Sequence, residues 1–294
     1  MKGSLIVPVL KGIRNRVNAI RLIRVKPNVM NSCETVNYIL EKNCSVARYG
    51  DGEYAIMSKR YDLYFQPRSD RLSEALYDVM KNPPDGLLVC VPDVFGSLKK
   101  FNHHSRTYWS NWRRIDFAKM IRHMQGKRYL FGDTMFSRTY IAYPDDRNAR
   151  ELFPLIRKIW EKRDVLIVEG EQTRFGVNND LLDNAGSVER ILAPAINAFS
   201  RYDEILTEVR AHAEGKLILL ALGPTATVMA CDLCRQGYRA IDIGHLDIEY
   251  EWYLAKAKEK TAIPGKYINE VREGRVFTEC GDSKYKSQIM KVIT

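Results

Sequence analysis

At 294 residues, 45% of them hydrophobic, the chain can bury one large α/β core, and its composition excludes a disordered or fibrous class. The formal net charge is +10, but Lys2, Lys11, Arg14, Arg16, Arg21, Arg24 and Lys26 all lie in the first 31 residues, which hold no Asp or Glu. The body is close to balanced, which excludes the clustered basic face that a nucleic-acid partner requires.

In chain order, residues 1–31 form a basic arm. Leu10, Ile13, Val17 and Ile20 recur there at three- and four-residue intervals between cations. Such a helix suits peripheral contact with an anionic membrane face, or packing on the catalytic domain or on a second subunit of a homo-oligomer. Apolar runs at 44–49, 87–91, 129–131, 165–168, 217–222 and 240–243 predict strands. Helical spacing predicts helices over 72–80, 116–124, 149–160, 202–212 and 225–235. The alternation of strands and helices, with strands as unbroken apolar runs, predicts a Rossmann-like, doubly wound, mostly parallel sheet covered by helices on both faces. Residues 92–113 exceed the usual connection length and read as an irregular lid or binding loop. After 262 the chain turns polar and basic, so a domain over 32–262 followed by an extension over 263–294 is expected. Six cysteines are too sparse for a disulfide-stapled secreted domain, and reduced thiols in a cytoplasmic chain are expected. The longest apolar runs fall far short of the roughly 20 residues of a membrane-spanning helix, and no signal-peptide cleavage pattern is present.

Open parallel sheets bind ligands outside the carboxyl ends of their strands, so the residues after each run come first. Asp51 and Glu53, on either side of Gly52, offer two carboxylates to one hard cation, Mn²⁺ or Mg²⁺, although Asp-Gly is also ordinary turn chemistry. Gly223 and Thr225 close a strand and open a helix whose free amides favour phosphate, with Thr225 as the expected N-cap. The segment 169–180 gathers Glu171, Arg174, Asn179 and Asp180, suited to hydroxyl and phosphate recognition or simply to solvation. His245, Asp247 and Glu249 alternate after a strand. If that strand continues they share one side, and one of them deprotonates an acceptor hydroxyl. Cys231 and Cys234 match C-x-x-C inside a predicted helix, with no second pair to complete a zinc site. His103, His104, Arg106, Tyr108, Trp109 and Trp112 suit either sugar stacking or a plain surface loop.

Five ordered segments resemble the bacterial glycosyltransferases of the GT-D fold, formerly a domain of unknown function, whose members include enzymes extending glycans on serine-rich adhesins. They are Arg48-Tyr49-Gly50-Asp51-Gly52-Glu53, Phe131-Gly132-Asp133 with Arg138, Glu169-Gly170-Glu171 with Arg174 and Gly176 through Leu181, Ala221 through Ala226, and Asp242 through Trp252. The resemblance implies a metal held by Asp51 and Glu53 and a UDP-sugar donor, often UDP-glucose. A donor site of Arg48, Gly50, Gly52, Asp133, Arg138, Glu171, Arg174, Asn179, Asp180, Gly223 and Thr225 follows, with Arg48, Arg138 or Arg174 stabilising the leaving UDP. The acceptor is expected to be a glycan, lipid-linked or protein-linked hydroxyl in bacterial surface polysaccharide or glycoprotein assembly, which attacks the donor's anomeric carbon by direct displacement with inversion. A metal-dependent phosphohydrolase of nucleotide-linked substrates and a non-catalytic nucleotide-sugar-binding module are the rival readings.

Overall fold

The computed structural model describes residues 27–124, 130–276 and 278–294. Within them the strands are β1 (Asn28–Val29), β2 (Ser45–Arg48), β3 (Leu87–Val91), β4 (Leu130–Asp133), β5 (Asp164–Gly170), β6 (Ser187–Ala193), β7 (Leu217–Ala221), β8 (Ala240–Asp242) and β9 (Ile289–Val292). The helices are α1 (Ser32–Lys42), α2 (Asp51–Met57), α3 (Asp70–Lys81), α4 (His103–Met124), α5 (Arg147–Arg157), α6 (Tyr202–His212), α7 (Pro224–Arg235), α8 (Leu246–Leu254) and α9 (Ser283–Gln288). The strands form one sheet in the order β1-β4-β3-β2-β8-β7-β5-β6-β9. Every pairing in it is parallel.

The unbroken apolar strands have the two-sided burial expected of them. Side chains alternate across a strand, so Ile218 and Leu220 of β7 enter one core while Leu217 and Leu219 enter the other. In β5, Leu166 and Val168 divide from Val165 and Ile167 in the same way. On the first face α7 supplies Ala226, Met229, Ala230 and Leu233; on the second α5 supplies Ala149, Leu152, Phe153 and Ile156. The doubly wound α/β fold is thus present, and fully parallel among the described residues.

Several boundaries differ from the sequence expectations. Helix α4 begins at His103, so the second half of the stretch 92–113 is helical, and its Trp109 and Trp112 are buried. Strand β6 carries no apolar run because its middle is charged; Arg190 is buried there with Glu169 Oε1 at 2.6 Å, Gln288 Oε1 at 2.8 Å and the Tyr285 ring as partners. The arm and the tail are redrawn as well. Residues 28–29 pair with β4, and Asn31 caps α1, with Glu34 N donating to its Oδ1 at 2.9 Å. The stripe at 10–20 lies outside the described residues. The tail beyond 262 is no appendage: β9 pairs with β6, and Lys266 Nζ lies 2.6 Å from Asp247 Oδ2 and 2.8 Å from Glu251 Oε1. No helix among the described residues is long and apolar enough to cross a membrane.

Lys266 and Asp247 are both about 2% exposed at the side chain, so removing one partner strands a buried charge. Lys266→Ala should therefore lower unfolding stability by about 3 kcal/mol, read from urea denaturation. A loss below about 1 kcal/mol would mean that the tail is not integral to the domain.

Candidate active site

The two halves of the sheet meet at β2 and β8, and the loops leaving their carboxyl ends carry most of the polar groups. Arg48, the last residue of β2, turns its Nε onto the Asp242 carbonyl at 3.0 Å and its Nη2 onto Asp242 Oδ1 at 3.0 Å, while Nη1 donates to Ser137 Oγ at 2.7 Å. Gly244 has φ +49, and a Cβ there would fall 1.7 Å from Arg48 Nη2, so only glycine fits beneath the guanidinium.

Asp51 and Glu53 sit in the first turn of α2 rather than in a free turn. Residues two apart on a helix do not face each other, so their convergence depends on where each side chain bends. Glu53 folds back so that Oε2 accepts from Gly50 N at 2.7 Å, capping the helix. Asp51 Oδ2 accepts from the Tyr108 hydroxyl of α4. Burial first, and then the nearby Asp242 carboxylate, pushes the Glu53 carboxyl up to about 7. A desolvated carboxylate beside a second one is a place where a hard cation would be favourable. Among the described residues no group of three or more His, Cys, Asp or Glu converges on one point. Asp51 and Glu53 are the side chains that would meet a cation there, with phosphate and water completing its shell.

Next to this pair lies a charged knot. Arg138, following the short 3-10 turn after β4, donates from Nη2 to Glu270 Oε1, and its Nη1 is 3.7 Å from Glu249 Oε1. Lys260 Nζ is 2.6 Å from Glu270 Oε2, and His245 Nε2 is 4.0 Å from Glu270 Oε1. Burial would push the Glu270 carboxyl up, but Arg138, His245 and Lys260 outweigh it and hold the group well below the usual carboxylate range. Burial, then repulsion from Arg138, lowers His245 to about 3, so the imidazole is neutral near pH 7. Its Nδ1 is shut away from water and makes no hydrogen bond.

The alternation expected for His245, Asp247 and Glu249 is corrected here. The strand ends at Asp242, and helix α8 starts at Leu246, turning Asp247 away from the other two. Asp247 accepts from Gly176 N at 2.9 Å and Asn179 Nδ2 at 2.8 Å, in addition to Lys266. Glu249, fully buried, accepts from Tyr140 N and Ile141 N, both at 2.9 Å, and burial raises its carboxyl. Both acids therefore brace α8; Glu249 also borders the knot through Arg138, fully buried, while His245 reaches it with a quarter of its side chain exposed.

Other expected donor contacts are also committed elsewhere. Arg174 holds the tail through the Gly265 carbonyl and Thr278, and Asn179 spans Asp247 and Glu251. Asp180 pairs with Arg157 at 2.8 Å and accepts from Tyr250. Asp133 is buried, accepting from Ser32 Oγ, Asp93 N and Met135 N. Glu171 follows β5, three strand spacings from β2, or about 14 Å. At α7 the N-cap is Gly223, not Thr225, whose buried hydroxyl donates to Gln66 Oε1 at 3.3 Å. A Cβ on Gly223, at φ +56, would meet Phe65 at 2.5 Å, so the segment 63–66 packs against this helix end. Its Leu63 likewise packs on Gly52. Cys231 is buried within α7, as a core residue. His103 and His104 are exposed at the start of α4. The structure thus brings together Arg48, Gly50, Asp51, Glu53, Arg138, His245 and Glu249. Tyr108, Lys260 and Glu270 join them from segments with no strand signal nearby.

A family profile described as the glycosyltransferase GT-D fold matches residues 46–271. The chain is 37% identical over 258 residues to glycosyltransferase GlyD of Streptococcus pneumoniae, covering 87% of this chain and 31% of that protein. It is 36% identical over 264 residues to a probable glycosyl transferase, Gly, of Streptococcus gordonii, covering 90% and 38%. It thus spans about a third of the length of these curated relatives. A solved domain of unknown function 1792, described as having a distinct glycosyltransferase fold, superposes with TM-score 0.87 at 33% identity, over 95% of this chain and all of that one. A structure described as a new glycosyltransferase from Streptococcus sanguinis gives TM-score 0.86 at 36% identity, over 92% and 100%. By sequence and by backbone alike, the chain belongs to the glycosyltransferases of the GT-D fold.

Proposed function

We propose that this glycosyltransferase is a metal-dependent hexosyltransferase that moves a hexose from a UDP-sugar, UDP-glucose or a near analogue, to a hydroxyl of a glycan, lipid-linked or protein-linked acceptor. The supporting observation is the placement of Asp51 and Glu53 in the first turn of α2, at the end of a central strand, with Arg138 and His245 alongside. Assembly of bacterial surface polysaccharide or glycoprotein would use such a step. A lipid-linked acceptor on the inner membrane face would fit the basic arm of residues 1–31.

Asp51 and Glu53 would hold Mn²⁺ or Mg²⁺, which when bound supplies charge neutralisation to the departing diphosphate. Tyr108 keeps the Asp51 carboxylate turned outward from α2, and Gly50 N fixes Glu53. Arg138 brings N–H donors to the same edge. His245 accepts the proton of the acceptor hydroxyl as it attacks the anomeric carbon from the side opposite the leaving group, inverting that centre. An anion arriving beside Arg138 offsets the repulsion that keeps the imidazole weakly basic, so donor binding raises its proton affinity. Glu249 and Asp247 keep α8, and with it His245, in place.

Asp51→Ala and Glu53→Gln should each abolish transfer at limiting Mn²⁺ while leaving thermal unfolding nearly unchanged, since glutamine at 53 can still accept from Gly50 N. Turnover of UDP-glucose against Mn²⁺, with and without acceptor, checks this. Near-normal activity in both variants would remove the metal assignment, and cleavage indifferent to acceptor would favour a hydrolase. His245→Asn should cut transfer by about 10² or more at little cost to donor affinity. The same variant has a signature in stability. The unfolded chain protonates His245 below about 6.5 and the folded chain only near 3, so this residue makes stability fall as pH drops through that window. Urea unfolding between pH 7 and pH 4 should show a flatter acid limb for His245→Asn; an unchanged limb would mean that His245 titrates normally.

A further inference from the structure

We infer that Arg138 and Lys260, gathered by Glu270, form a two-cation clamp for the donor's diphosphate, with Glu270 the residue that positions both. The inference rests on the UDP-sugar reading above and adds Lys260 and Glu270, which the sequence did not reveal, to Arg138, which it did.

Elimination makes the first half of the case. A diphosphate bound at this edge needs cationic side chains, and most of those nearby are committed. Arg48 has all three of its nitrogens on Asp242 and Ser137. Arg174 is bound to Gly265, Gln172 and Thr278. Lys266 is buried between Asp247 and Glu251, and Lys100 pairs with Asp93 at 2.6 Å. Arg138 and Lys260 also have an acid partner, but they share a single one, Glu270, and keep 26% and 43% of their side chains exposed.

Glu270 makes the second half. Arg138 Nη2 donates to one oxygen, and Lys260 Nζ stands 2.6 Å from the other as an ion pair without hydrogen-bond geometry, so one carboxylate holds both cations near it. Arg138 keeps Nη1 in reserve, since Glu249 Oε1 at 3.7 Å is beyond hydrogen-bond reach. Arg138 also lies within electrostatic reach of Asp51, on the side where the metal pair would hold the phosphates. A planar guanidinium beside an ammonium is suited to an oxygen-rich dianion. Holding them in advance spares the cost of ordering two long side chains when the donor arrives.

Affinity for UDP and for uridine, each measured calorimetrically with Mn²⁺ and without acceptor, tests the clamp. Lys260→Ala should raise the Kd for UDP roughly tenfold, as expected for a lost hydrogen bond to a charged group. Lys260→Arg should recover most of that loss. Glu270→Gln should weaken UDP by a similar factor, and the double variant Lys260→Ala/Glu270→Gln should be no worse than the weaker single one, because both remove the same contact. Uridine, which lacks the phosphates, should bind all variants alike. Unchanged UDP affinity in Lys260→Ala overturns the clamp, as does an equal loss for UDP and uridine, which would mark a purely structural strut. The Lys260 pair keeps the test decisive even if Glu270→Gln folds poorly. Failure of the unaltered protein to bind UDP would overturn the donor reading itself, and the clamp with it.

Discussion

The sheet is held together at its centre by remarkably little backbone and one ion pair. Between β2 and β8 only Val46 and Ile241 stand in register, whereas β5 and β6 match over seven positions. The Arg48 and Asp242 fork, at 12% and 3% side-chain exposure, reinforces this thin seam, and Thr227 of α7 adds a hydrogen bond from its hydroxyl to the Arg48 carbonyl at 2.8 Å. Burying two charges is costly unless their hydrogen bonds are satisfied, and here they largely are. The functional edge depends on the seam directly. Asp51 and Glu53 leave from the end of β2, His245 follows β8, and Ser137, on which Arg48 also rests, immediately precedes Arg138.

The carboxyl edge serves two purposes with one kind of residue. Arg174, Asn179, Asp247 and Lys266 form a polar scaffold that fastens the tail and α8 to the loop after β5. Arg138, His245 and Glu270 belong to the same layer but keep incomplete partnerships, with an unpartnered His245 Nδ1 and an unpartnered Glu249 Oε1.

The fold was legible wherever burial was uniform. Strand β7 and helices α6 and α7 carry periodicities that nothing in their surroundings disturbs. Reading failed where tertiary partners override the local pattern. In α8, Leu246, Ile248, Tyr250 and Trp252 alternate with acids, which looks like a strand. It is a helix buried on nearly every side, and its acids are tolerable because Lys266, Arg138 and backbone amides meet them. In α2, Gly50-Asp51-Gly52-Glu53 has the composition of a turn, yet Glu53 closes a capping interaction and the helix continues through a buried run from Tyr54 to Met57. Residues after strands announced themselves, so Asp51, Glu53, Arg138 and His245 could be found; Tyr108, Lys260 and Glu270 reach the same place from distant segments, and no spacing encodes that.

The seam also dictates when the enzyme can become competent during folding. Val46 and Ile241 are nearly two hundred residues apart in sequence, and every strand pairing in the sheet is a parallel crossover. Contacts that close such long loops form slowly, because chain entropy is lost before the pairing repays it. The half carrying the two carboxylates and the half carrying the histidine can each collapse early around their own helices. Until they dock, β2 and β8 each present a bare, apolar edge to the surroundings. An unpaired apolar edge of this kind is a template for pairing with another chain, and docking β2 onto β8 removes it.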